Sequence, residues 1–78
     1  MAKPLTLGEK IRSLRTSQGL TLASLSTQAE LSVSYLNDIE HDRTVPSLRR
    51  LQSIAEALGL DARNLLKDVD PFGTASTR

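Results

Sequence analysis

Apolar residues recur every three or four positions along most of this chain, with polar residues between them. That period places side chains on one face of an α-helix. Turn residues interrupt the pattern several times, which predicts an all-α fold of five short helices. Their predicted ranges are about 7–18, 22–29, 33–40, the stretch between Pro46 and Gly59, and 62–68. A strict alternation of apolar and polar residues is not evident, so no strand is predicted.

Residues with capping chemistry stand before the predicted helices. Thr6 and Glu9 have the spacing of a capping box at the start of the first helix. Gly19 suits the left-handed residue that ends this helix. Thr21 and Ser32 can accept hydrogen bonds from the first turns of the second and third helices.

The segment 21–40 has the pattern of two short crossing helices joined by a tight turn. Its apolar positions are those that such a pair would bury: Leu25, Ala29, Leu31, Leu36 and Ile39. Ser26 is small enough to let the helices approach, and its hydroxyl can bond to the carbonyl of Leu22. Glu30 is expected to take a left-handed conformation at the turn, at a cost on the order of 1 kcal/mol relative to Gly.

The side of the third helix opposite its apolar residues carries short polar groups and one apolar group. These residues are Val33, Ser34, Asn37, Asp38 and His41. Such a surface suits the major groove of DNA, where Asn can bond adenine twice, Val can meet a thymine methyl and Ser accepts several partners. Asp38 can accept from a cytosine amino group or be merely solvated. The alternative for the whole set is an ordinary solvated helix face.

The charge of the chain is informative mainly through its distribution. The net charge of the 78 residues is +1, which alone is weak evidence for a nucleic-acid partner. Residues 1–20 hold four basic residues against Glu9, whereas residues 21–45 hold four acidic residues against Arg43. Attraction to phosphates must therefore come from the first helix, the loop near Arg43, the Arg49–Arg50 pair and helix N-termini.

Composition also excludes or disfavours several classes of protein. The chain has no Cys and one His, so disulfides, Cys-based zinc sites and His-rich metal sites are excluded, and no metal or cofactor is predicted. A membrane span and a signal peptide are both lacking, so a cytoplasmic protein is expected. A nucleophile–base pair and a Gly-rich phosphate loop are lacking too, so an enzyme is not expected.

The segment 21–40, followed by the letters HDRTVPSL, resembles the helix-turn-helix of the phage-repressor or Cro-like (XRE) class. The letters SxSYLNDIE, RTxPSL and the earlier RxxxGLT carry the resemblance, which covers roughly residues 7–66. The chain departs from the usual family pattern at four positions. These are Leu22 in place of Gln, Ser26 in place of Ala, and Glu30 and Asp42, each in place of Gly.

The resemblance implies a repressor-like domain with its helix-turn-helix at helices 2 and 3. Such a domain binds a double-stranded DNA operator sequence-specifically as a homodimer and regulates transcription, with helix 3 in the major groove and half-sites about one DNA turn apart. The expected base-reading residues are Val33, Ser34, Asn37 and Asp38. The groups expected to contact the DNA backbone are Thr21, Tyr35, His41, Arg43, Thr44 and Ser47.

Other interpretations stay open at this stage. Tyr35 could serve packing alone, and an exposed His41 could be incidental. A protein-interaction module, such as an antitoxin or an adaptor, would have the same fold but no operator. Salt-dependent retention on DNA would separate the two functions, because contacts with phosphates release counterions.

The resemblance also places a partly buried ion pair between Arg15 and Glu40. Arg15 lies one turn after Ile11, at the edge of an apolar stripe, and Glu40 follows Ile39. An Arg so close to core residues needs a partner, and its planar guanidinium matches a carboxylate. The pair would fix the angle of helix 3, and the alternative is two independent surface charges.

Apolar residues near the C terminus exceed what one small domain is expected to bury. They are Leu60, Leu65, Leu66, Val69 and Phe72. We therefore expect a homodimer contact in this region, and the alternative is that these residues complete the monomer core. The predicted boundaries are a flexible arm at 1–6, the DNA-binding domain at 7–68 and a C-terminal tail at 69–78.

Overall fold

Five helices and one pair of very short strands make up the part of the chain, residues 5–67 and 69–70, that the computed structural model describes. The helices are α1 (Leu7–Ser17), α2 (Leu22–Ala29), α3 (Val33–Glu40), α4 (Leu48–Ala57) and α5 (Ala62–Leu66). The strands are β1 (Leu5–Thr6) and β2 (Val69–Asp70). The predicted all-α class is confirmed, and the helix bounds lie close to the predicted ones.

The strand pair corrects the predicted ends of the domain. β1 and β2 run parallel, with Leu5 opposite Val69 and Thr6 opposite Asp70. The prediction of no strand was therefore wrong, and these four residues belong to the folded domain rather than to an arm and a tail. A strand of two residues is too short to show an alternation, and its partner lies at the other end of the chain.

Aliphatic side chains from all five helices form the core. Its buried members are Leu7, Ile11, Leu25, Ala29, Leu36, Ile39, Leu51, Ile54, Ala55, Leu58 and Leu65. Leu48 continues the apolar pattern of α4, yet its side chain is 64% exposed. The first residue of a helix is buried only where another element covers it, as at Leu7 of α1, which is 4% exposed. None of the helices described here is long and apolar enough to cross a membrane.

Side-chain caps fix where each helix begins. Each N-cap side chain accepts a hydrogen bond from the main-chain N–H three residues later, and the caps are Thr6, Thr21, Ser32, Ser47 and Asp61. The Thr6–Glu9 capping box is complete. Between α2 and α3, Glu30 has a φ of 60°, the left-handed conformation expected from the sequence.

The hydroxyl of Ser26 makes a different bond from the predicted one. It donates to the carbonyl of Ala23 at 2.8 Å, so the predicted bond to Leu22 was wrong. A serine hydroxyl in a helix can reach the carbonyl three or four residues back, and here it bonds to the nearer one. Ser26 is still buried and satisfied, as a small residue between α2 and α3 must be.

Candidate nucleic-acid interface

The outward side of α3 carries the four residues that the sequence assigned to base reading. Val33 is 45% exposed, Ser34 is exposed, and Asn37 and Asp38 are half-buried. The opposite side of α3 is buried in the core. Residues spaced by one, four and five positions lie on one side of a helix. The four side chains therefore form one continuous surface, which we call the reading face.

Asp38 and Arg43 are bound to each other at the C-terminal side of the reading face. Arg43 Nη1 donates to Asp38 Oδ1 at 3.0 Å, with the two side chains 57% and 43% exposed. The main-chain N–H of Arg43 also donates to the carbonyl of Asp38 at 2.9 Å. The loop after α3 therefore folds back, and it brings a residue assigned to the DNA backbone onto one assigned to base reading.

His41 is less suited to a phosphate contact than its exposure suggests. Its Nδ1 lies 2.9 Å from the main-chain carbonyl oxygen of Asn37. The tautomer that donates this bond has its proton on Nδ1, so Nε2 is then an acceptor. A neutral His41 held in this way has no N–H to give to a phosphate, and donation would require the protonated ring.

Tyr35 combines packing with a contact to a basic residue. It is half-buried against the core, and the Cζ atom of Arg50 lies 5.3 Å from the centroid of its ring. A guanidinium at this distance from an aromatic face is attracted by the ring. Tyr35 therefore holds Arg50 of α4 beside α3, which adds a positive charge next to the reading face.

The three hydroxyl residues assigned to the DNA backbone flank α3 from neighbouring elements. Thr21 and Ser47 are the N-caps of α2 and α4, and both are exposed. Their hydroxyl oxygens accept from main-chain N–H groups, which leaves the hydroxyl protons to donate. Thr44 is half-buried in the loop between α3 and α4.

The ion pair predicted between Arg15 and Glu40 is present in the structure. Arg15 Nε lies 2.7 Å from Glu40 Oε2 and Nη2 lies 3.0 Å from Oε1, so the guanidinium holds the carboxylate with two parallel bonds. The two side chains are 13% and 1% exposed. The hydrogen bond that Arg15 donates to Glu40 raises the pKa of Arg15 above its usual value. The third nitrogen, Nη1, donates to the carbonyl of Leu20 at 2.9 Å, so α1 holds α3 and the start of the α2 segment together.

Asp42 provides a second tie between α3 and α1, which the sequence analysis did not find. Its Oδ1 accepts from the N–H of Gly8 at 3.0 Å, and its Oδ2 accepts from the hydroxyl of Thr6 at 2.6 Å. A carboxylate at the N-terminus of a helix is stabilised by the helix dipole. Asp42 can reach this position because its own φ is 60°. The available signal was an acidic residue where the family usually has Gly.

Gly8 allows α1 to approach the end of α3. A Cβ atom on this residue would lie 2.6 Å from the carbonyl oxygen of Glu40 and 2.7 Å from Asp42 Oδ1, and it would also meet the carbonyl oxygen of Ile39. These distances are far inside van der Waals contact, and two of the three atoms belong to the main chain. A side chain at this position would therefore force the two helices apart.

The residues predicted to form a dimer contact are divided between core and surface. Leu65 is 0% exposed, so its assignment to an interface was wrong: in a helix as short as α5 it is the inward position. Leu60 and Val69 are half-buried against the core. Leu66 is 36% exposed, and Phe72 lies outside the described residues.

Comparison with known proteins places the chain among helix-turn-helix domains. The sequence profile of the helix-turn-helix family matches residues 11–65, which include the whole reading face. The chain is 43% identical over 67 residues to the HTH-type transcriptional regulator DdrOP3 of Deinococcus deserti, covering 86% of this chain and 52% of that protein. It is 46% identical over 56 residues to the immunity repressor protein of Bacillus phage phi105, covering 72% of this chain and 39% of that protein.

A solved structure extends the comparison to three dimensions. The P22 c2 repressor protein, crystallised with a synthetic operator, aligns with a TM-score of 0.75 and 27% identity over 81% of this chain and 96% of that one. This chain spans about half the length of DdrOP3 and less of the phage phi105 repressor. The chain belongs to the helix-turn-helix family, in its phage-repressor and Cro-like (XRE) class.

Proposed function

We propose that this chain is the sequence-specific, double-stranded DNA-binding domain of a transcriptional regulator. The observation that carries the proposal is the reading face, the outward surface of α3. The C-terminal end of α3 is held to α1 by the Arg15–Glu40 pair and by Asp42. A rigid helix with short polar groups outward is what the major groove admits. The P22 c2 repressor, which aligns over most of the chain, was crystallised with an operator.

Each residue of the reading face has a chemical role in this proposal. Asn37 bonds to the N6 and N7 atoms of an adenine, and the exposed methyl groups of Val33 meet a thymine methyl. Ser34 donates to or accepts from a base edge. Asp38 accepts from the N4 amino group of a cytosine.

Groups around α3 contact the DNA backbone and fix the position of α3 relative to the base pairs. The hydroxyls of Thr21, Thr44 and Ser47, together with the N–H of Ser47, donate to phosphate oxygens. Arg43 supplies charge on one side of α3, and Tyr35 places its own hydroxyl and the stacked Arg50 on the other. His41 contributes only when its ring is protonated.

The regulator acts in the cytoplasm as a homodimer, with one α3 in each of two half-sites about one DNA turn apart. Occlusion of a promoter is the simplest consequence, as in a repressor. The exposed Leu66, with Leu60, Val69 and Phe72, lies in the C-terminal region through which we place the two-fold contact. The dimer is part of the proposal because it sets the spacing of the operator.

Selection from a random pool of duplex DNA at moderate salt tests the function. The expected result is an enriched site with two related half-sites, and Asn37→Ala should lose the enrichment at one or two positions within each half. The Ser13→Ala variant, changed at an exposed position of α1, is a matched control that should select the wild-type site. Absence of any enriched site would contradict the proposal and favour a protein-interaction module.

A further inference from the structure

Asp38 is the one carboxylate of segment 21–45 that lies on the reading face. Glu40 is buried and neutralised by Arg15, and Asp42 is bonded to the start of α1. Glu30 stands exposed at the turn before α3. Among the carboxylates of this segment, Asp38 alone therefore brings a negative charge to the surface that meets DNA in the proposed function, where phosphates repel it.

The partner of Asp38 is Arg43, a basic residue of the loop that follows α3. The side-chain bond of 3.0 Å and the main-chain bond of 2.9 Å hold Arg43 back toward α3, so the guanidinium partly cancels the carboxylate. A cancelled pair displaces fewer counterions from a phosphate backbone than a lone Arg does. While it stays paired, Arg43 contributes little to binding of DNA of arbitrary sequence.

We propose that Asp38 is a specificity-determining residue that acts by exchanging partners. This inference rests on the proposed function. On an operator with a cytosine in reach, the carboxylate gives up Arg43, accepts from the cytosine N4 amino group, and frees the guanidinium for a phosphate. On other sequences no amino group compensates the carboxylate, so the pair stays closed and binding stays weak.

The exchange gives Asp38 two effects that an ordinary base contact does not combine. It adds preference for one base pair, and it lowers affinity for all other DNA. Both effects disappear when the charge is removed. A residue that only read cytosine would change the preference and leave binding to unrelated DNA as it was.

The Asp38→Asn variant tests the inference, since it keeps the shape of the side chain and removes its charge. Binding to the selected operator, to operators changed one base pair at a time, and to an unrelated duplex is measured by fluorescence anisotropy over a series of salt concentrations. We expect the preference for one base pair to fall roughly tenfold. Binding to the unrelated duplex should strengthen several-fold, with a salt slope steeper by about one.

Glu30→Gln is the matched control, because it changes the net charge equally at an exposed position away from the reading face. Glu30→Gln should leave the base preference unchanged, and any change in its salt slope should be smaller than that of Asp38→Asn. Arg43→Ala in the Asp38→Asn background should return the salt slope toward the wild-type value. Thermal melting of each variant followed by circular dichroism confirms that it is folded.

Two results would overturn the inference, and only the second would also overturn the proposed function. If the wild type selects an operator but Asp38→Asn behaves like Glu30→Gln, the partner exchange is wrong and the proposed function stands. If the wild type selects no operator at any salt concentration, the proposed function fails and the exchange fails with it.

Discussion

At the scale of single residues, two carboxylates set the position of α3 by different means. Glu40 is buried and depends on the charge of Arg15. Asp42 is at the surface and depends on its left-handed backbone to bring its oxygens to Gly8 and Thr6. Both ties join the C-terminal end of α3 to α1. Two independent sets of bonds therefore fix the angle of α3 relative to α1.

Replacing Glu40 by Ala should destabilise the domain strongly. The change leaves the guanidinium of Arg15 desolvated without its partner, which costs on the order of 3 kcal/mol of unfolding free energy. The raised pKa of Arg15 means that its stabilising charge is fully present below the usual arginine pKa and is lost only as pH rises through the higher folded value. Urea unfolding at neutral pH therefore measures the complete effect.

A double-mutant cycle between Arg15→Ala and Glu40→Ala separates the pair from its surroundings. The same cycle on the exposed pair Asp38 and Arg43 is the control and should give less than about 1 kcal/mol. A coupling energy for Arg15 and Glu40 as small as that of the exposed pair would show that burial adds nothing to their interaction.

Replacements of Asp42 should separate its backbone role from its side-chain role. Asp42→Gly loses the two bonds from Gly8 and Thr6, each contributing about 1 kcal/mol, but relieves the left-handed conformation, so we expect a net loss of about 1 kcal/mol. Asp42→Ala loses the same two bonds and keeps the strain, so we expect a loss of about 2 kcal/mol. Thermal unfolding of the two variants checks the order, and an Ala variant as stable as the Gly variant would contradict it.

The two ties differ in how far the sequence could predict them. Arg15 stands at the edge of an apolar stripe, so its need for a partner is visible in the pattern of one helix, and the family resemblance supplied Glu40 as that partner. The bonds of Asp42 depend on a backbone angle and on residues 34 and 36 positions away. No local pattern carries that information, so Asp42 was seen only as a departure from Gly.

At the scale of elements, the helix-turn-helix was predictable because its caps, spacing and turn are local. The boundaries of α3 and the outward placement of Val33 follow from neighbouring residues. The left-handed Glu30 was expected because the resembling family usually has Gly at this turn. The exposure of Leu48 was not predictable in this way, since a pattern does not show whether another element covers a position. The acceptor of the Ser26 hydroxyl was not predictable either, because the carbonyls of Leu22 and Ala23 are both within its reach.

Substitutions on and beside α3 should divide into two kinds of effect on DNA binding. Asn37→Ala should change the base preference at one or two positions, at a cost of about 1–3 kcal/mol there. Arg43→Ala should instead weaken binding to the operator and flatten the salt slope measured on it, because it removes a contact with a phosphate. Binding measured on a panel of operator variants distinguishes these effects. An unchanged preference in Asn37→Ala would place the reading face elsewhere.

At the scale of the whole molecule, the C-terminal region closes the core and still leaves an apolar side chain at the surface. Leu65 was wrongly assigned to an interface because the sequence gives the number of apolar residues but not the capacity of the core. Leu66 is exposed beside it. An apolar side chain at the surface is not unusual by itself, so a dimer contact there needs a direct test.

If the proposed homodimer forms, Leu66→Lys should shift it toward monomer at a given concentration, because the change places a charge in the proposed two-fold contact. Sedimentation velocity over a range of concentrations measures the shift. Leu48→Lys is the matched control, since Leu48 is a more exposed leucine on another helix. Dissociation by Leu48→Lys but not by Leu66→Lys would show that the contact lies elsewhere, and a wild type that is monomeric even on operator DNA would exclude the dimer.

The parallel pairing of Leu5 with Val69 also has a consequence for the order in which the molecule folds. The helices involve neighbouring residues and form rapidly, whereas this pairing must close a loop that includes almost the whole chain. The strand pair should therefore form last and open first. Since Thr6 lies in β1 and also bonds to Asp42, each opening should release the Asp42 tie while Arg15–Glu40 stays closed. Native-state hydrogen exchange should show this as faster exchange of the Gly8 amide than of the Ile11 amide within the same helix.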